Sequence, residues 1–257
     1  MKMFVTERRD KIMEFLIDQH RLTVKELSAK IGVSEATLRS DLNKMEAEGL
    51  LVRTHGGAVL NDTSEKTETS FSAREKQHKE EKMKMAVKAL EFISEKQCIL
   101  LDGSSTALEI ARQLKKDPMR LTVVTSGLYT ALELSDIPEI TVIMIGGMVT
   151  NESKSIEGLM GLSILDNVHI DIMFTSANGF SAESGLTDFN LYEVQIKKEM
   201  VNRSRKVVAL IDHSKIGRNS SAPFAATKQI DVLLTNTQLE EDVSKELIAN
   251  QVSFYSV

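Results

Sequence analysis

The run Asp102-Gly103-Ser104-Ser105-Thr106 gathers the residue types that hold an anion. It follows an apolar, strand-like stretch at 98–101 and leads into a helical pattern at 106–114. Gly103 lets backbone approach a ligand, the first N–H groups of a helix point outward, and three hydroxyls add donors. The spacing is neither that of a P-loop nor that of a dinucleotide fingerprint. Simple helix capping by Ser104 or Ser105 explains the same residues without a ligand. Other strand ends share the character: Thr125-Ser126-Gly127, Gly146-Gly147, Ser176-Ala177-Asn178-Gly179 with Gly185-Leu186-Thr187, and Asp212-His213-Ser214-Lys215. Lys215 supplies a point charge suited to phosphate. Asp102 either orients hydroxyls or anchors its turn, and Glu157, beside Gly158, is a further candidate for the lining. Ligands of open α/β sheets bind at the carboxyl ends of strands, so these residues jointly imply a small, polyhydroxylated anion. A phosphorylated sugar is the simplest such ligand.

A second set has different chemistry. Ser34 is placed to cap a helix in which Leu38, Leu42 and Met45 repeat at core spacing. At about 100° per residue, Ala36, Thr37, Arg39, Ser40, Asn43 and Lys44 fall on the outward face, with no outward carboxylate among them. Arg pairs with guanine edges, Asn with adenine, and hydroxyls with phosphate or base, so this face suits a major groove. Residues 49–58 read as a short hairpin wing carrying Arg53 and His55 beside that helix. A solvated helical hairpin that never meets DNA is the bland alternative.

The elements that must position both sets are legible in outline. Thr23 and Glu26 form a capping box, Val24, Leu27 and Ile31 share one face, and Gly32 supplies the turn before Ser34. Ile12, Phe15, Leu16 and Gln19 mark an earlier helix. Residues 61–70, without an aliphatic or aromatic side chain, read as a linker. Residues 71–94 read as one amphipathic helix with Met83, Ala86, Val87, Leu90 and Ile93 on its stripe and Lys79 to Lys82 on a solvated face. Short β-branched runs then alternate with helices, the pattern of a largely parallel α/β sheet.

Composition bounds the reading. Hydrophobic content of 42% in 257 residues allows two modest domains. No apolar run is long enough to span a membrane, and the charged start MKMFVTERRDK does not fit a signal peptide. A single cysteine, Cys98, excludes an internal disulfide and fits a reducing cytoplasm. Five histidines without ligand spacing imply no metal site, and no cofactor is expected. The net charge of −5 is uneven: residues 1–60 hold 10 Lys+Arg against 9 Asp+Glu. One copy should therefore bind DNA weakly, which implies a homo-oligomer, dimer or tetramer, and no membrane partner.

Ser34-Glu35-Ala36-Thr37-Leu38-Arg39-Ser40-Asp41-Leu42, Gly49-Leu50-Leu51 and His55-Gly56-Gly57-Ala58 closely resemble the DNA-binding signature of the DeoR family of bacterial transcription regulators. That family usually carries a second arginine where this chain has Ser40. LDGSST, VVTSG, IGG, Gly179…Gly185-Leu186-Thr187, Glu193…Lys197 and LIDHSKIG are similar to the family's effector-binding domain. The resemblance implies an N-terminal all-α winged helix-turn-helix over 1–60, a linker over 61–70, and an α/β effector domain over 71–257 similar to ribose-5-phosphate isomerase. It also implies that Ser34, Glu35 and the outward residues above contact operator double-stranded DNA, and that Glu193 joins the effector site. The isomerase's aspartate-rich loop is Ser176-Ala177-Asn178-Gly179 here, and its lysine-glycine segment begins Ser184-Gly185 without lysine. Asn178 can hold a sugar hydroxyl but cannot shuttle its proton. The reading is a regulator, a repressor of a sugar-utilisation operon, rather than an enzyme. An isomerase with a DNA-binding appendage, or a helix-turn-helix used only for protein contacts, are the alternatives.

Overall fold

The computed structural model describes residues 5–19, 21–47, 51–54, 56–60, 70–149 and 153–257. His55 and all of the expected linker except Ser70 lie outside them. Two compact units are present, Met1–Ser70 and Phe71–Val257.

The first unit comprises α1 (Val5–Gln19), β1 (Arg21–Thr23), α2 (Val24–Ile31), α3 (Glu35–Ala47), β2 (Leu51–Thr54) and β3 (Gly57–Leu60). The capping box forms as the sequence dictates. Thr23 Oγ1 accepts from the Glu26 N–H at 3.2 Å, and Glu26 Oε2 accepts from the Thr23 N–H at 2.7 Å. Gly32 ends α2 at φ 77°, and its N–H donates to the Ser28 carbonyl. Leu27, Leu38, Leu42 and Met45 close a core with Ile12, Leu16 and Leu51. Arg8 and Asp41, 2.5 Å apart and buried, tie α1 to α3.

Strand β1 has no counterpart in the sequence reading. It pairs with β3 in an antiparallel sheet of order β1-β3-β2. This pairing presses Gly57 onto the backbone, where an added Cβ would lie 2.1 Å from the Leu22 carbonyl oxygen.

In the second unit, residues 71–94 are two helices, not one: α4 (Phe71–Lys76) and α5 (Lys79–Leu90). The break falls at His78, which has φ 50°. The buried stripe of α5 is Lys82, Met85, Ala86 and Ala89, while Met83 and Val87 are exposed. Lys82 therefore belongs to the interior, contrary to the expected solvated face, because its ammonium finds partners there.

Then follow β4 (Cys98–Leu101), α6 (Ser105–Lys116), β5 (Leu121–Thr125), α7 (Leu128–Leu134), β6 (Ile140–Met144), β7 (Met148–Val149), β8 (Ile156–Glu157), a 3-10 turn (Leu162–Asn167), β9 (Ile172–Thr175), β10 (Gly179–Ser181), β11 (Gly185–Asp188), α8 (Leu191–Arg203), β12 (Val207–Leu210), β13 (Ala222–Ala225), β14 (Val232–Thr235), α9 (Glu241–Ala249) and β15 (Ser253–Ser256). Seven strands form one sheet of order β15-β14-β12-β9-β4-β5-β6, every pairing parallel.

Its central strands are apolar on both faces, as a sheet covered on both sides requires. Ile99 and Leu101 join a core with Met85, Ala89 and Ile110 on one face, and Leu100 joins Val194, Met200 and Leu247 on the other. Strand order reverses between β4 and β9, so their following loops part and leave a crevice. The small antiparallel sheet β10-β11-β13 and the β7–β8 pair were not anticipated.

Candidate functional site

The crevice between β4 and β9 is built on a buried carboxylate. Asp102 Oδ1 accepts from the Ser104 N–H at 2.9 Å. Its Oδ2 accepts from Thr175 Oγ1 at 2.6 Å and from the Ser176 N–H at 3.2 Å. Lys197, on α8, places Nζ 3.4 Å from the same oxygen while donating to Asp188 Oδ2 at 2.7 Å and to the Ser176 carbonyl at 2.9 Å. Burial opposes the Lys197 charge, but Asp188, Asp102 and Glu193 outweigh it and its pKa is raised. Burial likewise opposes ionisation of Asp102, yet Lys197 and the Ser104 and Thr175 hydrogen bonds hold it below the usual carboxylate range. With both oxygens engaged and no exposure, Asp102 is placed as the anchor of its turn, the second of the two roles its sequence allowed.

Above this floor is a tight cleft of about 10 Å³ lined by Ser104, Ser105 and Thr106 on one side and Ser176, Ala177, Asn178 and Asp188 on the other. Lys197, Lys215 and Arg74 complete the lining. Ser104 does cap α6, accepting from the Ala107 N–H at 3.1 Å; its hydroxyl has that structural task whatever the cleft holds.

Three cations crowd this end of the unit. Lys215 lies 3.3 Å from Asp212. Its pKa is lowered, chiefly by burial, with Arg74 adding to the effect and Asp212 opposing it. Lys82 donates to the carbonyls of Arg74 and Gln77 and, at 3.1 Å, to Ser105 Oγ. Burial first, then Lys215, lowers the Lys82 pKa to about 8. These cations disfavour one another's charge beside the N-terminal turn of α6, with Asp212 opposing the effect on both lysines.

The remaining sequence candidates fall into two groups. Gly103 packs tightly below the cleft, where an added Cβ would lie 2.3 Å from Ser155 Cβ. Thr125 accepts from the Gly127 N–H at 3.0 Å and Ser126 is buried, its carbonyl accepting from the Ile156 N–H. Glu157 accepts from Asn190 Nδ2 at 2.9 Å, and Glu193 from Ser155 Oγ at 3.3 Å. Burial raises the Glu193 pKa against the opposing pull of Lys197.

Gly146 and Gly147 are exposed and pack against 156–161, away from the cleft lining. Gly179 and Thr187 hold the β10–β11 pairing, Thr187 donating to the Gly179 carbonyl at 3.0 Å. Thr187 also lines a separate, open hollow of about 620 Å³ beside β13.

Sequence reasoning assigned no binding role to Arg74 or Asp188, and named Ser176 only within a polar strand end and Lys197 only within the family resemblance. Arg74 is inconspicuous within a charged stretch, and a lysine four residues after Glu193 looks like an ordinary helix pair. Only the fold shows these side chains converging.

On α3, Glu35, Ala36, Arg39, Ser40, Asn43 and Lys44 are exposed and Thr37 half-buried. The face does carry carboxylates, which corrects the sequence reading: Arg39 donates to Glu35 at 3.0 Å, and exposed Glu46 accepts from the Arg53 N–H at 3.0 Å. Arg53 also donates to Asn43 Oδ1, joining wing to helix. Ser34 accepts from the Thr37 N–H at 3.2 Å as the α3 cap.

A helix-turn-helix unit joined in sequence to a doubly wound α/β unit with a cationic crevice defines the class: a DNA-binding regulator with a sensor domain. The family models described as the DeoR-like helix-turn-helix domain and the DeoR C terminal sensor domain match residues 8–64 and 77–237. The chain belongs to the DeoR family of transcriptional regulators. It is 44% identical to the HTH-type transcriptional regulator GolR of Listeria innocua, over 95% of each chain. It is 29% identical to the glycerol-3-phosphate regulon repressor of Escherichia coli, over 90% of each. Among solved structures, ribose 5-phosphate isomerase A of Methanocaldococcus jannaschii is similar at 17% identity and TM-score 0.41, over 55% of each chain. The sequence relatives carry the names of regulators and not of enzymes. No helix among the described residues is long and apolar enough to cross a membrane, and no described cluster of His, Cys, Asp or Glu suits a metal ion.

Proposed function

We propose that this protein represses a sugar-utilisation operon and is controlled by a phosphorylated sugar held in the β4–β9 crevice. The observation that carries the reading is the meeting of Arg74 and Lys215 with the hydroxylated start of α6. The Ser105 and Thr106 hydroxyls and the helix N–H groups would take the phosphate, with Arg74 and Lys215 balancing its charge. Asn178 and Asp188 face it from the far wall, where they suit sugar hydroxyls. The name of the Escherichia coli relative, a repressor for a phosphorylated-polyol regulon, is in keeping with that ligand class.

On the DNA side, Ala36, Thr37, Arg39, Ser40, Asn43 and Lys44 would enter the major groove, with Arg53 and His55 on the wing. Because the reader is nearly neutral, two or more copies are needed to reach useful affinity. An effector shifts operator binding only by binding one state of the oligomer better than the other.

Titrating labelled operator DNA against the protein, alone and with a panel of pentose, hexose and triose phosphates, tests this. At least one compound should change operator affinity tenfold or more. The reading is wrong if none does.

A further inference from the structure

Helix α4 is the first element after the connection to the DNA reader, and two contacts hold it. Phe71 is buried and stacks on Tyr129 with ring centroids 5.1 Å apart. At the other end, Lys82 reaches back from α5 to the carbonyls of Arg74 and Gln77 and forward to Ser105 Oγ. Lys82 does not itself line the cleft. A single buried ammonium thus joins the last turn of α4 to the start of α6, while Arg74 on that same turn lines the cleft together with Lys215.

We propose that α4 is the output element of the sensor: an anion on the α6 cradle draws in Arg74, and Lys82 passes the resulting clamp to the α4 backbone. This rests on the anion reading of the cleft given above. Without an anion, the charges of Arg74, Lys82 and Lys215 disfavour one another, and Asp212 and the three Lys82 hydrogen bonds offset this in part. With one, the repulsion becomes attraction and the short helix that follows the connection to the DNA reader is fixed at its C-terminal turn. That difference in contacts between two states is what linkage requires. The depressed pKa of Lys82 is in keeping with a cluster waiting for negative charge.

Hydrogen exchange of the full-length protein, read by mass spectrometry with and without inorganic phosphate, ribose 5-phosphate and fructose 1-phosphate, tests the proposal. A probe that raises the thermal midpoint should also slow exchange at amides 71–82 by about tenfold. In Lys82→Met, the probe should still raise the midpoint, but protection of 71–82 and any effect on operator affinity should be lost. A probe that raises the wild-type midpoint while leaving 71–82 unchanged overturns the proposal and spares the anion reading. A Lys82→Met variant that transmits as well as wild type also overturns it. If Lys82→Met does not fold, the wild-type exchange decides alone. If no probe raises the midpoint, the anion reading falls and this inference falls with it.

Discussion

Lys197 stands 3.4 Å from Asp102, a lysine of α8 against a carboxylate at the end of β4, where the strand order of the sheet reverses. The pair joins the two sides of the crevice, and Asp188 on β11 shares the lysine at 2.7 Å. The crevice walls are therefore fixed by a closed set of charges. Arg74 and Lys215 are the cations of the lining outside this set, Lys215 lying 3.3 Å from Asp212.

Replacing Lys197 by Met should be severe. The buried carboxylates Asp102 and Asp188 would lose their common cation, and breaking a buried pair in this way costs about 3–5 kcal/mol. Chemical denaturation should show the α/β unit's midpoint falling steeply while the helix-turn-helix unit is spared. A midpoint within error of wild type would count against the arrangement.

The lowered Lys82 pKa has a definite sign. Its folded value is about 8 against an ordinary 10.5. Between those values the unfolded chain binds more protons than the folded one, so this group makes stability rise with pH across that window. An anion in the cleft favours the protonated amine, so anion affinity should fall as pH passes through about 8. Isothermal titration with inorganic phosphate between pH 6.5 and 9.5, in buffers of different ionisation enthalpy, should show weaker binding and proton uptake above pH 8. Affinity that is flat with pH would contradict the placement of Lys82.

Glu193 offers the opposite case. Burial raises its pKa, so the folded state binds the extra proton and stability from this group falls as pH rises above the usual carboxylate range. Glu193→Gln keeps an acceptor for Ser155 Oγ and removes the titration. Its thermal midpoint should equal or exceed wild type at pH 7 and lose part of the wild-type pH dependence between 4 and 7.

The paired glycines of the wing should behave differently. Gly57→Ala drives a Cβ into the Leu22 carbonyl, whereas nothing lies within 4 Å of a Cβ at Gly56. Overpacking of this kind costs about 1–3 kcal/mol. Gly57→Ala should weaken both the stability of the first unit and operator binding, and Gly56→Ala should leave stability within about 0.5 kcal/mol.

Arg39→Ala should weaken operator binding by about 1–3 kcal/mol if Arg39 reads a base, with relaxed specificity at one position and little change in the salt slope. A uniform loss across sequences with a shallower slope would instead assign Arg39 to phosphate. Anisotropy titrations at several salt concentrations separate the two.

What the sequence by itself determined was local. Thr23 and Glu26, Gly32, Ser34 and Ser104 act within three or four residues of themselves, so their caps and turns follow from spacing alone. Short apolar strands alternating with helices likewise imply a parallel sheet, because both faces must be covered. The tertiary structure decided which charges are buried. Lys82 looked solvated until Ser105, 23 residues away, and the carbonyls of α4 were placed beside it. Asp102 had two readings until Thr175, 73 residues on, closed over its Oδ2. The desolvation of a charge is offset or not according to partners brought from distant parts of the chain, and no local pattern encodes that.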